Sequence, residues 1–81
     1  AKGRVYIAVI HYQGTEAGDN IVRALGRCKF VVKSKTMRKD STEMAVEVFS
    51  KDPDLEFADR LRAVEGVQDV TLIQYNGEYH G

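Results

Sequence analysis

The chain has 81 residues and a mass of 9.1 kDa, which is enough for one small domain with a modest core. Its formal net charge is zero, and its single cysteine excludes an internal disulfide and any multi-cysteine metal site. The longest uninterrupted apolar run, Val5 to Ile10, is far shorter than the roughly 20 residues of a membrane-spanning helix. We therefore expect no membrane insertion by this segment.

The charges are segregated along the chain. Residues 20–39 hold seven basic side chains and no acidic one, whereas residues 40–81 hold ten acidic side chains and three basic ones. Such a charge dipole either orients the approach of a charged partner or separates two solvated faces of opposite sign.

Residues 4–12 predict a β-strand that is covered on both faces. The segment is rich in β-branched and aromatic residues and contains neither glycine nor proline. A strand with apolar side chains on both faces is typical of the centre of a sheet. The two alternating apolar sets are Val5, Ile7 and Val9 on one side and Tyr6, Ala8 and Ile10 on the other.

A glycine-containing loop over residues 13–20 leads into a first helix that is predicted to run to about Arg27. Thr15 or Asp19 is the expected N-cap, because either side chain accepts hydrogen bonds from the free N–H groups of a first turn. The spacing i, i+4, i+7 predicts a buried stripe of Ile21, Leu25 and Cys28.

Residues 29–50 predict a β-hairpin with a turn at residues 39–42. The first arm carries several lysines, which suit an edge strand because charge discourages pairing with another chain. Strict alternation places four side chains of that arm on one face, namely Phe30, Val32, Ser34 and Thr36. In the second arm, Met44, Val46 and Val48 oppose Ala45, Glu47 and Phe49.

A second helix is predicted to begin at Asp52 as N-cap, with Pro53 at the first helical position. Gly66 is expected to end the helix in a left-handed conformation. The apolar row of this helix comprises Leu55, Ala58, Leu61 and Val64. Residues 69–75 predict a last strand, followed by a turn at Asn76-Gly77.

The order β-α-β-β-α-β predicts an α+β, ferredoxin-like sandwich: a four-stranded antiparallel sheet with two helices on one face. The first and third strands are expected in the middle and the lysine-bearing second strand at an edge. The core is expected to contain Leu25, Leu61, Val64 and Val9.

Two helices cover only one side of such a sheet, so the other side is expected to expose a contiguous apolar patch. Tyr6 and Phe49 are the candidate interface residues at this surface. A homodimer, or docking onto the rest of a longer chain, is the expected cover.

We expect no catalytic residues, no metal and no cofactor. Cys28 lies between two basic residues, but a nucleophile also needs a base, and only His11 and His80 are present. RNA binding is the third-ranked interpretation: the third strand lacks the Gly-aromatic motif of RNA-recognition modules and the net charge is neutral, so nucleic acid is not the expected partner.

The loop after the first strand is the candidate site for a small ligand. Its glycines permit close backbone approach, and the following helix offers free N–H donors to an anion. The candidate ligand-binding residues are Gln13, Gly14, Thr15, Asp19 and Asn20.

The element order and the ending from Leu61 to Leu72 (LRAVEGVQDVTL) resemble the ACT-like family of regulatory domains over nearly the whole chain. More narrowly, this ending with residues 75–79 (YNGEY) is similar to the C-terminal soluble domain of uncharacterised bacterial multi-pass membrane proteins encoded near polyphosphate polymerases, and more loosely to the MgtC-type C-terminal domain. In the first loop the chain departs from ACT domains: residues 11–15 replace the Asp and Pro-Gly that often open their amino-acid site.

The resemblance implies that residues 1–81 are a single ACT-like domain cut from a longer membrane protein. It would then lie in the cytoplasm, tethered to the inner membrane. The implied function is that of a non-enzymatic regulatory or assembly domain that self-associates or docks onto its own membrane domain. The alternative is a small-metabolite-binding sensor module.

Overall fold

A computed structural model describes residues 3–75. The predicted turn at Asn76-Gly77 and the chain beyond it lie outside the described residues. The elements in chain order are β1 (Arg4–Tyr12), α1 (Ala17–Ala24), β2 (Lys29–Met37), β3 (Thr42–Ser50), α2 (Glu56–Arg62) and β4 (Val67–Tyr75).

The four strands form one sheet in the order β2-β3-β1-β4, and every neighbouring pair is antiparallel. This confirms the ferredoxin-like βαββαβ fold, with β1 and β3 in the centre and β2 at an edge. The apolar side chains on both faces of β1 are explained by its central position.

The core lies between the sheet and the two helices. Leu25 and Leu61 are fully buried, as expected, and Val64 packs partly buried against the same cluster. The expectation for Val9 is wrong: it alternates with the core residues Ala8 and Ile10, so it belongs to the opposite face of β1, where it is half-buried. The buried core residues are Ala8, Ile10, Tyr12, Ala17, Ile21, Leu25, Met44, Val46, Val48, Phe57 and Leu61.

A β-bulge interrupts β2 and overturns the strict alternation expected there. Val32 pairs with Val46, but the next paired residue is Ser34, opposite Ala45, so Lys33 is the extra residue. Beyond a bulge the side chains exchange faces. Ser34 and Thr36 therefore share the face of Ala45 and not that of Val32.

Helix α1 is shorter than expected and has a different start. Its N-cap is Glu16, whose side chain makes no capping hydrogen bond, so neither Thr15 nor Asp19 serves as N-cap. The helix ends at Ala24, and a turn carries the chain to Cys28, whose N–H donates to the Leu25 carbonyl (2.8 Å). Cys28 is outside the helix but still packs partly buried on the core.

Helix α2 begins one turn later than expected. The carboxylate of Asp52 accepts hydrogen bonds from the N–H groups of Asp54 (2.8 Å) and Glu56 (3.0 Å), and these bonds lower the pKa of Asp52. Asp52 therefore stabilises a turn that precedes the helix, and Pro53 lies in that turn. The N-cap is Leu55, in a left-handed conformation with φ 53°.

Gly66 adopts the positive φ that was expected after the second helix, with a value of 99°. The Gly66 carbonyl accepts a hydrogen bond of 2.9 Å from the N–H of Gln13. The turn after α2 is thereby joined to the loop after β1, which is the loop that carries the candidate ligand site.

Candidate functional site

The side of the sheet away from the helices, called here the open face, is apolar over its middle. It carries alternate residues of all four strands, which the register aligns across the sheet. Three of its large apolar side chains are strongly exposed: Val31 at 55%, Ile73 at 52% and Phe49 at 38%. The half-buried apolar members are Val5, Ile7, Val9 and Ala45.

Of the two expected interface residues, the structure places Phe49 on the open face and Tyr6 on the other. Tyr6 pairs with Val48 of the core, and its ring lies 6.1 Å from that of Phe57 in α2. The expectation for Tyr6 is therefore wrong, because Tyr6 and Phe49 occupy positions of opposite parity in paired strands. Val5, which pairs with Phe49, takes the place expected for Tyr6.

One end of the open face is closed by a polar cluster around His11. Its Nδ1 lies 2.6 Å from Asp69 Oδ1 and its Nε2 lies 2.9 Å from Glu43 Oε1. Both carboxylates accept hydrogen bonds, so the two contacts are satisfied together when the imidazole is protonated and both ring nitrogens donate. Arg38 Nη2 also lies 3.4 Å from Glu43 Oε1.

The cluster links three strands by side-chain hydrogen bonds, because His11 lies in β1, Glu43 in β3 and Asp69 in β4. Two hydrogen bonds raise the pKa of His11, and the bond to Asp69 has a larger effect than the bond to Glu43. The hydrogen bond from His11 in turn lowers the pKa of Glu43. In the protonated imidazole both nitrogens donate to these carboxylates, so that form of His11 offers no lone pair to a proton or to a metal ion.

The stability of the fold is expected to peak in mildly acidic solution. The raised pKa of His11 contributes stability that is complete below the ordinary value of 6.5 and is lost as the pH rises through the folded pKa above it. The lowered pKa of Glu43 contributes stability that is present above its ordinary value of 4.5 and is lost as the pH falls. Urea unfolding between pH 4 and pH 9 measures this profile.

The variant His11→Gln is the control for this pH profile, since glutamine does not titrate. We expect the loss of stability above pH 6.5 to disappear in the variant. An unchanged decline in the variant would assign it to another group.

The structure brings four of the five candidate ligand residues around one open concavity of about 600 Å³. Gln13, Gly14, Thr15 and Asn20 line it, whereas Asp19 lines a neighbouring concavity. Glu16 and Glu65 also line the first concavity, so it combines two carboxylates with the uncapped start of α1. Such a surface suits a ligand that carries an amine as well as an acceptor for backbone N–H groups.

Residues 3–75 contain no group of His, Cys, Asp and Glu side chains that is arranged to hold a metal ion. In the same part of the chain no helix has the length and apolar character needed to cross a membrane. Cys28 and His11 lie at opposite ends of the sheet. Cys28 precedes Lys29, which pairs with Phe49, and Phe49 pairs in turn with Val5 at the start of β1, whereas His11 lies near the end of β1. The structure therefore does not form the Cys–His pair considered from the sequence, and His80 is outside the described residues.

The His11 cluster was not found from the sequence, where His11 was considered only as a possible base for Cys28. The missing information was the strand register: His11 pairs with Glu43 on one side and with Asp69 on the other. Opposite charges directly across a sheet attract. A register derived from the hairpin and the last strand would have brought the three side chains together.

The sequence matches no protein-family model and no curated protein. Solved structures with the same fold include the ACT domain of GTP pyrophosphokinase from Chlorobium tepidum. Its crystal structure has a TM-score of 0.71 at 16% identity and covers 89% of this chain and 100% of that one. Its solution structure has a TM-score of 0.69 at 15% identity, covering 98% and 96%.

A homoserine dehydrogenase from Thiobacillus denitrificans is similar with a TM-score of 0.70 at 12% identity, over 94% of this chain and 18% of that one. A de novo designed protein, Foldit4, also shares the fold, with a TM-score of 0.63 at 14% identity over 93% and 98% of the two chains. The chain therefore has the ferredoxin-like fold that these ACT domains share. Since a designed protein has it too, function has to be argued from surfaces.

Proposed function

We propose that this chain is a non-catalytic regulatory or assembly domain that works by packing its open face against a second copy of itself. The observation that carries the proposal is the apolar middle of that face, on a sheet whose helices cover only the other side. The ACT-like fold supports the regulatory part of the proposal.

The open face has the composition of a contact surface. Its apolar members come from all four strands and are contiguous, since the register places them side by side: Ile7 pairs with Ile73, and Val9 pairs with Ala45. Small soluble domains seldom leave patches of this kind in water. Two-fold symmetry is the simplest cover, because one patch then serves both partners.

One charged side chain limits the strength of this association. Glu47 lies between Val31 and Ile7 in the paired strands and is half-buried. Burial of a carboxylate against an apolar surface costs free energy unless the carboxylate is paired. We therefore expect a reversible dimer that forms in the micromolar to millimolar range and not an obligate one.

The variant Ile73→Lys is expected to weaken dimerisation strongly while leaving the fold intact. Ile73 is 52% exposed on the edge strand β4, so lysine is solvated in the monomer, but dimerisation would bury its charge. Sedimentation equilibrium across micromolar to millimolar concentrations measures the dissociation constant, which we expect to rise by about tenfold or more.

Met37→Lys is the matched control for Ile73→Lys. Met37 is also an exposed apolar residue of an edge strand (74%), but it pairs with Thr42 and belongs to the other set of alternating side chains. The Met37→Lys variant should dimerise as the parent chain does. A strictly monomeric parent chain, or an equal loss of dimer in both variants, would contradict the proposal.

A second candidate function is the binding of a small metabolite at the loop after β1. The concavity that groups Gln13, Gly14, Thr15 and Asn20 favours it, together with the carboxylates of Glu16 and Glu65. A thermal-shift screen with amino acids separates the two candidates. A stabilising ligand whose effect is lost on replacement of the exposed Gln13 would assign the function to this loop.

The location of the chain stays a prediction from the sequence resemblance. We expect it to be one ACT-like domain of a longer membrane protein, lying in the cytoplasm and tethered to the inner membrane. A membrane domain of the same protein is the competing cover for the open face. RNA binding ranks third, because β2 carries the basic side chains on which it rests, yet Glu47 lies in the middle of the sheet surface.

A further inference from the structure

Basic side chains from β2, from α2 and from two connections line one concavity, at the end of the sheet opposite the loop after β1. The concavity has a volume of about 400 Å³. It lies where the connection from α1 to β2 meets the connection from β3 to α2. Its lining comprises Arg27, Cys28, Lys29, Phe49, Ser50, Lys51, Asp52 and Arg60.

Folding concentrates positive charge here in a chain with no net charge. Lys51 and Arg60 are two of the three basic residues in the acid-rich segment 40–81, and both join Arg27 and Lys29 from the basic segment. Within residues 3–75 none of these four side chains forms an ion pair. Four cations and one carboxylate leave a lining with three net positive charges.

The carboxylate in the lining offsets one of the four positive charges and attracts Arg60, but among residues 3–75 it forms no ion pair. Both oxygens of Asp52 accept hydrogen bonds from backbone N–H groups of the turn before α2. Arg60 is held in place by its Nε, which donates to the Ala24 carbonyl at the end of α1 (3.2 Å). This bond positions the rest of the guanidinium beside the concavity.

Attraction to the negative end of α1 accounts for only part of this cluster. It explains Arg60, whose Nε donates to the Ala24 carbonyl, and it is consistent with Arg27, which follows the helix by three residues. It does not explain Lys29, at the start of β2, or Lys51, just after β3. Those two lysines place charge around the concavity without serving a helix end.

We propose that this concavity binds a small molecule that carries phosphate groups, with Arg27, Lys29, Lys51 and Arg60 around the phosphate oxygens. Guanidinium and ammonium groups form strong, charge-assisted hydrogen bonds with phosphate. The volume suits a small ligand, and Cys28 and Phe49 provide an apolar wall for its organic part. This site is separate from the loop after β1 and adjoins the open face at Lys29 and Phe49.

Titration of the ¹⁵N-labelled chain with pyrophosphate, followed by two-dimensional NMR, tests the proposal. We expect saturable shifts confined to residues 27–29, 50–52 and 60 within about 10 mM ligand. The double variant Lys29→Gln/Lys51→Gln should bind about tenfold more weakly, since two of the four cations are lost. If this double variant does not fold, Arg27→Gln replaces it.

The matched control is Lys33→Gln/Lys35→Gln, which removes the same charge from exposed lysines of β2 that do not line the concavity. It should bind pyrophosphate as the parent chain does. Repetition with AMP and with a single-stranded RNA octamer, at constant ionic strength, identifies the source of the phosphate. Absence of saturable shifts, an equal loss in both double variants, or binding of RNA alone would overturn the proposal.

Discussion

Replacement of Gly66 by alanine is expected to destabilise the fold strongly, and replacement by valine more so. Gly66 has φ 99°, and a Cβ there would lie 2.3 Å from the carbonyl oxygen of Gln13. Backbone strain of this kind costs roughly 1–3 kcal/mol. The clash adds to it, because relief requires the loop after β1 to move and breaks the hydrogen bond from Gln13 to Gly66. Urea unfolding measures the loss.

Gly14→Ala is the control that separates strain from the clash. Gly14 also has a positive φ (107°), but no atom lies within 4 Å of a Cβ placed there. We expect Gly66→Ala to cost clearly more than Gly14→Ala. Equal losses would show that the loop moves away freely and that the close approach has no energetic weight.

Truncation of Leu61 to alanine is expected to cost roughly 2–5 kcal/mol. Leu61 is fully buried in α2 among the core residues, so the truncation removes apolar contacts and leaves a cavity that the sheet cannot fill. The expected loss is a large share of the roughly 5–15 kcal/mol by which small domains are stable.

Leu72→Ala provides a matched comparison, because it removes the same atoms from a partly buried leucine of β4. It should cost less than Leu61→Ala, since more of the site is already in contact with water. A smaller loss for Leu61 than for Leu72, measured by chemical unfolding, would contradict the proposed core.

The sequence was sufficient for the order of the elements, because the relevant signals are local. Residues 4–12 alternate apolar types, and Gly66 follows a helical apolar row, so each predicted its own backbone without knowledge of the rest. The positions of β1 and β2 in the sheet also followed, since a strand that is apolar on both faces is central and a lysine-rich one lies at an edge.

The faces of individual side chains were harder to predict, because they depend on contacts between distant residues. Tyr6 and Val9 are both apolar members of β1, and which set faces the helices depends on the packing of the whole core, in which Tyr6 lies beside Phe57. No residue type in β2 marks the bulge at Lys33. The side chains of Ser34 and Thr36, which follow the bulge, were therefore assigned to the wrong face of the sheet.

The candidate sites follow the same division. The loop residues Gln13 to Asn20 were identified because glycines and helix-start residues mark such loops locally. The basic concavity combines residues 27–29 with Lys51 and Arg60, which are more than 20 positions away in the chain. No spacing rule connects them, so only the fold reveals their proximity.

The bulge in β2 changes what this edge of the sheet offers to a second chain. An edge strand with unpaired N–H and C=O groups is a template on which further chains can stack in cross-β fashion. In β2 the extra residue Lys33 breaks the regular repeat of those groups half-way along, and Lys35 adds charge beside it. In-register addition of a second chain at this edge is therefore disfavoured, so β2 is protected against open-ended stacking by its backbone geometry as well as by its charge.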